Sequence, residues 1–141
     1  MTKPELGGRD LGALLKSMSP RLHPETFVFA MLPKGAGAEL ASLAPDAVMV
    51  FQEAEGTTLI VPQSCVTGRD IPHAFPCRMI TLEVHSALDA VGFIAAVAAA
   101  LSESGISTNP VSGFYHDHLF VPANDADAAV AILRTLSEQT V

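Results

Sequence analysis

Leu11, Leu14, Leu15 and Met18 recur at the spacing of one helical face, with Asp10 placed to cap the start and Pro20 to stop the run. The pattern predicts a short amphipathic helix. Phe27 to Leu32 is then unbroken apolar sequence of strand length, ended by Pro33, and the lack of polar alternation predicts a central strand covered on both faces. Ala38 to Ala44 has room for one or two helical turns. Ala47–Phe51 and Thr57–Val61 flank Glu53-Ala54-Glu55-Gly56, where glycine supplies the backbone freedom of a hairpin, so an antiparallel pair is expected.

Pro62 to Pro76 is rich in proline and glycine without a clean period, and marks a junction between two halves. Beyond it, Met79–His85 alternates: Ile80, Leu82 and Val84 face a core while Thr81, Glu83 and His85 face away. Ser86-Ala87-Leu88-Asp89 has the capping-box form, a hydroxyl at the cap with a carboxylate three residues on. A helix is therefore expected from Ser86 to about Ser104, with Leu88, Val91, Ile94, Ala98 and Leu101 as its apolar stripe and Gly105 ending it. Ile106–Gly113 and Asp117–Val121 read as two strands joined by a turn at Phe114-Tyr115. Asn124 and Asp127 repeat the cap pattern before a last helix carrying Val130, Leu133 and Leu136.

The second half thus reads strand, helix, strand, strand, helix, and the first half is a degenerate version with a shortened helix. Two such units predict an α+β, ferredoxin-like arrangement of antiparallel strands with helices on one face, divided into residues 1–70 and 71–141. The other sheet face would be covered by a second copy of the chain, as a homodimer or higher homo-oligomer.

Composition narrows the function. At 141 residues and 49% hydrophobic, the chain has the material for a packed core, and a net charge of -7 has the wrong sign for neutralising phosphates, so nucleic acid is not an expected partner. The polar amino terminus lacks a signal-peptide apolar stretch, and the Val91–Leu101 window is shorter than the ~20 residues that span a bilayer. No membrane partner and a cytoplasmic location are expected. Cys65 and Cys77 lack the spacing of a redox or zinc motif and read as reduced thiols.

His116 and His118, two apart on a strand, point to one side and are a possible metal pair, with His85 as a third ligand if the fold brings it near. Without that third ligand they are polar side chains on a half-exposed strand. Ser86, His85 and Asp89 imitate a nucleophile, base and orienter, but they are too close in sequence for a catalytic triad and capping explains the serine. GxSxG, GxxxxGK and GxGxxG patterns are absent, and Gly7-Gly8 and Gly35-Ala36-Gly37 lack the strand–loop–helix setting of a phosphate cradle. Neither an enzyme nor a cofactor is expected. The remaining constellation is His85-Ser86, the amides of the following helix's first turn, and Asn109 to Asp117: amides attract a carboxylate, and Asp117 or Asp89 attracts an ammonium.

Ile80 to Leu133 resembles an ACT domain, the small-molecule regulatory module of amino-acid metabolism, in Val84–Phe93, Gly105–Asn109 and Tyr115–Pro122. The whole chain is similar to uncharacterised bacterial two-part ACT proteins, in which a leading helix and Phe27-Val28-Phe29 precede Glu53-Ala54-Glu55-Gly56-Thr57-Thr58-Leu59. The resemblance implies a βαββαβ fold, units paired through sheet edges or faces, and a regulatory amino-acid-binding protein without catalytic activity. It also implies ligand contacts from the His85–Gly92 loop, here His85, Ser86, Asp89, Val91 and Gly92, and from the second strand, here Asn109, Val111 and Ser112. Asp117 is the acid that the resemblance places against the ligand's amino group. The Asn-x-Pro-Gly form of some serine-binding ACT loops is replaced here by Asp89-Ala90-Val91-Gly92, which leaves the ligand open. The alternatives are a metal-binding protein built on His116 and His118, and a ligand-free structural dimerisation module.

Overall fold

The computed structural model describes residues 2–141. Two compact units divide the chain: a larger one combines the residues up to Pro24 with Arg78–Val141, and a smaller one is Glu25–Cys77. These boundaries differ from the expected halves, 1–70 and 71–141, because two long strands pass from one unit into the other. Strand β1 (Pro20–Leu32) and strand β4 (His73–Leu82) each give one end to each unit. The Pro62–Pro76 stretch is accordingly not all linker: His73 to Pro76 already belong to β4.

In the smaller unit, β1 leads to helix α2 (Gly37–Leu43), then to strands β2 (Met49–Gln52) and β3 (Thr57–Pro62), and finally to the start of β4. The strand order is β2-β3-β1-β4, the ferredoxin-like order. β3 lies antiparallel to both neighbours, with Val28 opposite Val61 and Phe51 opposite Thr58. Gly56 makes the expected hairpin: at φ 157° a side chain there would run into the Leu32 carbonyl. Alternate β1 residues Val28, Ala30 and Leu32 join Leu59 and Val61 beneath Leu43 to form the core. A 3-10 turn at Gln63–Cys65 follows β3 in place of a second full helix.

In the larger unit, β4 is followed by helix α3 (Phe93–Glu103), strands β5 (Asn109–Ser112) and β6 (Asp117–Pro122), and helix α4 (Ala126–Gln139). The order β1-β4-β6-β5 is again ferredoxin-like, but its fourth strand is the start of β1, so it comes from the beginning of the chain. Helix α1 (Leu11–Ser17) precedes that strand, and the Asp10 carboxylate accepts from the Ala13 amide at 3.1 Å, the cap the sequence predicts. The core takes Ile80, Leu82, Leu119 and Val121 from the strands, Phe93, Val97 and Leu101 from α3, and Leu14, Leu15 and Met18 from α1. α4 adds Ala129 and Leu133. Its start departs from expectation: a 3-10 turn at Ala123–Asp125 leads into it, and no side chain caps it.

Candidate functional site

The loop between β4 and α3 differs most from its sequence signal. The expected helix from Ser86 begins only at Phe93, and residues 83–92 form an irregular loop. Tertiary bonds displace the capping box. The Ser86 hydroxyl donates to Asp117 Oδ2 at 2.9 Å instead of accepting from amides of a first turn, and Gly92, at φ 95°, precedes the helix in a left-handed conformation. Leu88 and Val91 therefore leave the predicted apolar stripe: both are exposed, Val91 at 84%.

Asp117 opens β6 and is buried at 6% exposure, with Ser86 at 7%. Both of its oxygens accept from hydroxyls, Oδ2 from Ser86 and Oδ1 from Ser112 at 2.5 Å. Ser112 closes β5 directly opposite Asp117 in the antiparallel register, so the β5–β6 turn itself aligns this pair. Among the described residues Asp117 makes no ion pair. A cavity of about 250 Å³ opens beside this carboxylate, lined by Ser86, Ser112, Asp117 and Gly92 and by the first turn of α3, Phe93 to Ala95. That turn has no side-chain cap, so its outward amides remain available to a negatively charged group. One wall is thus a carboxylate and the other a helix amino end.

The structure brings together Ser86, Gly92, Ser112 and Asp117, and places the other expected residues elsewhere. Asn109 and Val111 lie further along β5, opposite Phe120 and His118, and do not line the cavity. Val91 does not line it either. Asp89 turns to Arg9, which bonds both of its oxygens, at 2.9 and 3.2 Å, and holds its carboxyl below the usual carboxylate range. With both partners more than half exposed, solvent screens this pair and keeps its contribution to stability small. The pair borders a second cavity of about 180 Å³, walled by Leu6, Leu88 and Phe114. His85 packs its ring against Tyr115 at 5.3 Å and Phe114 at 6.4 Å between centroids, and its Nε2 is buried without a hydrogen-bond partner.

The segment before α1 also holds this loop. Gly8 N donates to the His85 carbonyl and Ala87 N donates to the Gly8 carbonyl, both at 2.8 Å, so residues 7–9 bridge to residues 85–87 as a single parallel rung. In sequence, Gly7-Gly8 signals only a close backbone approach without a phosphate-cradle setting, and the structure shows that approach to be to residues 85–87. The histidine pair does not build a metal site with His85, whose ring packs on the aromatics. His116 and His118 have ring centroids 6.4 Å apart, and His118 Nδ1 bonds the Thr81 hydroxyl at 2.9 Å, which also meets His23 Nε2 at 2.7 Å. Among the described residues no group of three or more His, Cys, Asp and Glu side chains could hold a metal ion. Among the described residues no helix is long and apolar enough to cross a membrane.

ACT-domain family models match residues 6–78 and residues 74–135. The chain belongs to the ACT-domain family. A protein of unknown function from Vibrio cholerae, described as a possible transport protein, is similar over 90% of this chain and 95% of its own, at 35% identity and a TM-score of 0.79. A protein from Agrobacterium tumefaciens matches at 19% identity and TM-score 0.72, covering 85% of this chain and 89% of its own. The regulatory subunit of aspartate kinase from Thermus flavus matches at 12% and 0.64, covering 84% and 96%. The last two share the ACT fold alone at such identities. No curated protein matches. Membership gives this tandem ACT protein a small-molecule-binding, regulatory role.

Proposed function

We propose that the larger ACT unit binds a free amino acid, with the ligand's ammonium on the Asp117 carboxylate and its carboxylate on the amides that open α3. The protein acts as a cytoplasmic sensor without catalysis of its own and passes the signal through a homodimer or larger assembly. The buried Asp117 carboxylate carries this reading. A charge in that position is costly unless it is paired, and both of its bonded partners are neutral hydroxyls. A cation arriving through the cavity supplies the missing charge, and charge-assisted bonds of this kind are roughly twice as strong as neutral ones. At about 250 Å³ the cavity lies just below the roughly 300–1,000 Å³ usual for ligand pockets, which favours a small ligand. Assembly finds support in the smaller unit, where Met31, Val50 and Phe51 expose large apolar side chains.

The test is a thermal-shift panel of the twenty amino acids, followed by calorimetry on any that raises the melting temperature. A ligand at one hundred times its Kd stabilises the folded state by about 2.7 kcal/mol, a shift that is easily read. Asp117→Asn, with unchanged circular dichroism, is expected to abolish the shift. A flat panel, or an Asp117→Asn protein that binds with full affinity, overturns the proposal.

A further inference from the structure

The segment before α1 makes more specific contacts than a loose terminus would. Gly7 has φ 88°, and a Cβ there would lie 2.8 Å from the His85 ring, the His85 carbonyl and the Ser86 carbonyl carbon. Gly8 exchanges backbone hydrogen bonds with residues 85 and 87, on either side of Ser86. Arg9 grips Asp89 with two bonds. Three consecutive residues therefore hold the loop at residues 85–87 and again at 89. At the centre of this grip Ser86 turns inward, and its hydroxyl fixes one oxygen of the Asp117 carboxylate. An irregular loop has no ladder of its own to set the Ser86 geometry, so the strap supplies it.

We propose that Gly7, Gly8 and Arg9 form a positioning strap that sets Ser86, and through it the Asp117 carboxylate, so that the amino-terminal segment tunes ligand affinity at a site it does not line. The role deepens the amino-acid-binding reading and rests on it for the ligand, while its structural half can be measured without one. Docking of the strap pre-orders the carboxylate, and with the strap released a ligand must bear that ordering itself and binds more weakly. By reciprocity, an occupied site holds the strap more firmly, which makes the amino terminus a reporter of the bound state.

The experiment compares Gly7→Val, Arg9→Ala and Arg9→Lys with the parent protein, and uses Val130→Ala in α4 as a control that loosens the same unit away from the strap. Three quantities are read: hydrogen exchange at the Ala87 amide, the ¹³C resonance of the Asp117 side-chain carboxyl, and the Kd of whichever amino acid the thermal-shift panel selects. Gly7→Val is expected to speed Ala87 exchange about tenfold, the worth of one hydrogen bond, to move the Asp117 resonance and to weaken binding about tenfold. Arg9→Ala follows in the same direction with smaller changes, Arg9→Lys restores most of them, and Val130→Ala leaves the Asp117 resonance and Kd alone. Faster Ala87 exchange with an unmoved Asp117 resonance and an unchanged Kd means a strap that merely stabilises, and overturns the proposal. So does unchanged exchange in Gly7→Val. Should the parent protein bind no amino acid, the proposed ligand fails, and the strap is decided by the exchange and resonance data alone.

Discussion

Ser86→Ala removes one of the two hydroxyl donors to the Asp117 carboxylate and little else, because the side chain is small and its backbone bonds through residues 85 and 87 are untouched. Hydrogen bonds to charged groups contribute roughly 1.5–3 kcal/mol, and the buried position of Asp117 keeps solvent from replacing the lost donor. With an unfolding entropy near 2.1 cal/mol/K per residue, a chain of 141 residues converts that loss into a fall in melting temperature of about 5–10 °C. Calorimetry on the parent, Ser86→Ala, Asp117→Asn and the double variant isolates the pair. The serine substitution should cost much less in the Asp117→Asn background, where no charge is left to serve. A loss below about 0.5 kcal/mol in the parent, the range of ordinary surface substitutions, would refute the view that this serine supports a buried charge.

Two further outcomes follow from titratable groups. Burial, reinforced by His116, His23 and Arg21 and opposed by Asp117, lowers the His118 pKa from 6.5, so the folded state disfavours its protonation. His118 thus contributes stability that is present above pH 6.5 and is lost as the pH falls through its lower folded value. Urea midpoints at pH 7.5 and pH 5 should fall more steeply for the parent than for His118→Gln, and equal slopes would remove His118 from the account. Burial also pushes the Cys77 thiol up to about 11, which leaves almost no thiolate near neutrality, whereas Cys65 is partly accessible. Iodoacetamide at pH 8 should label Cys65 well before Cys77, as read by mass spectrometry, and the stability that Cys77 supplies below pH 9 should drain away between pH 9 and 11.

The parts of the fold that depend on neighbours in sequence were legible. Asp10 caps α1 and Gly56 turns the hairpin because each acts on residues within a few positions of itself. Ser86 shows where such reasoning stops. Its capping-box signal is real chemistry, but an acceptor 31 residues away competes for the same hydroxyl and wins. Asp117 is legible in the residues only as one of two acids, with Asp89, that could attract an ammonium; the family resemblance singles it out, and the structure adds the two hydroxyls that fix it. Asn109, Val111 and Val91 entered by loop and strand range alone, and a range does not tell which residues of a strand reach a cavity at its end. Arg9 stayed invisible because its partner Asp89 is 80 residues away. The division into units was hidden for a related reason: nothing local in Pro20–Pro24 says that it pairs with the end of β4.

That pairing sets the order in which the molecule can be assembled as it leaves the ribosome. Residues 25–77 are contiguous and can close on themselves as soon as they emerge, at about 5–20 residues per second. The residues up to Pro24, made before that stretch, must wait until Arg78–Val141 have been synthesised before α1 can bury Leu14, Leu15 and Met18. For that interval an amphipathic helix has no mate. A gene fragment encoding residues 71–141 alone inherits the complementary defect: β4 lacks its β1 neighbour, and the core lacks the α1 side chains that complete it.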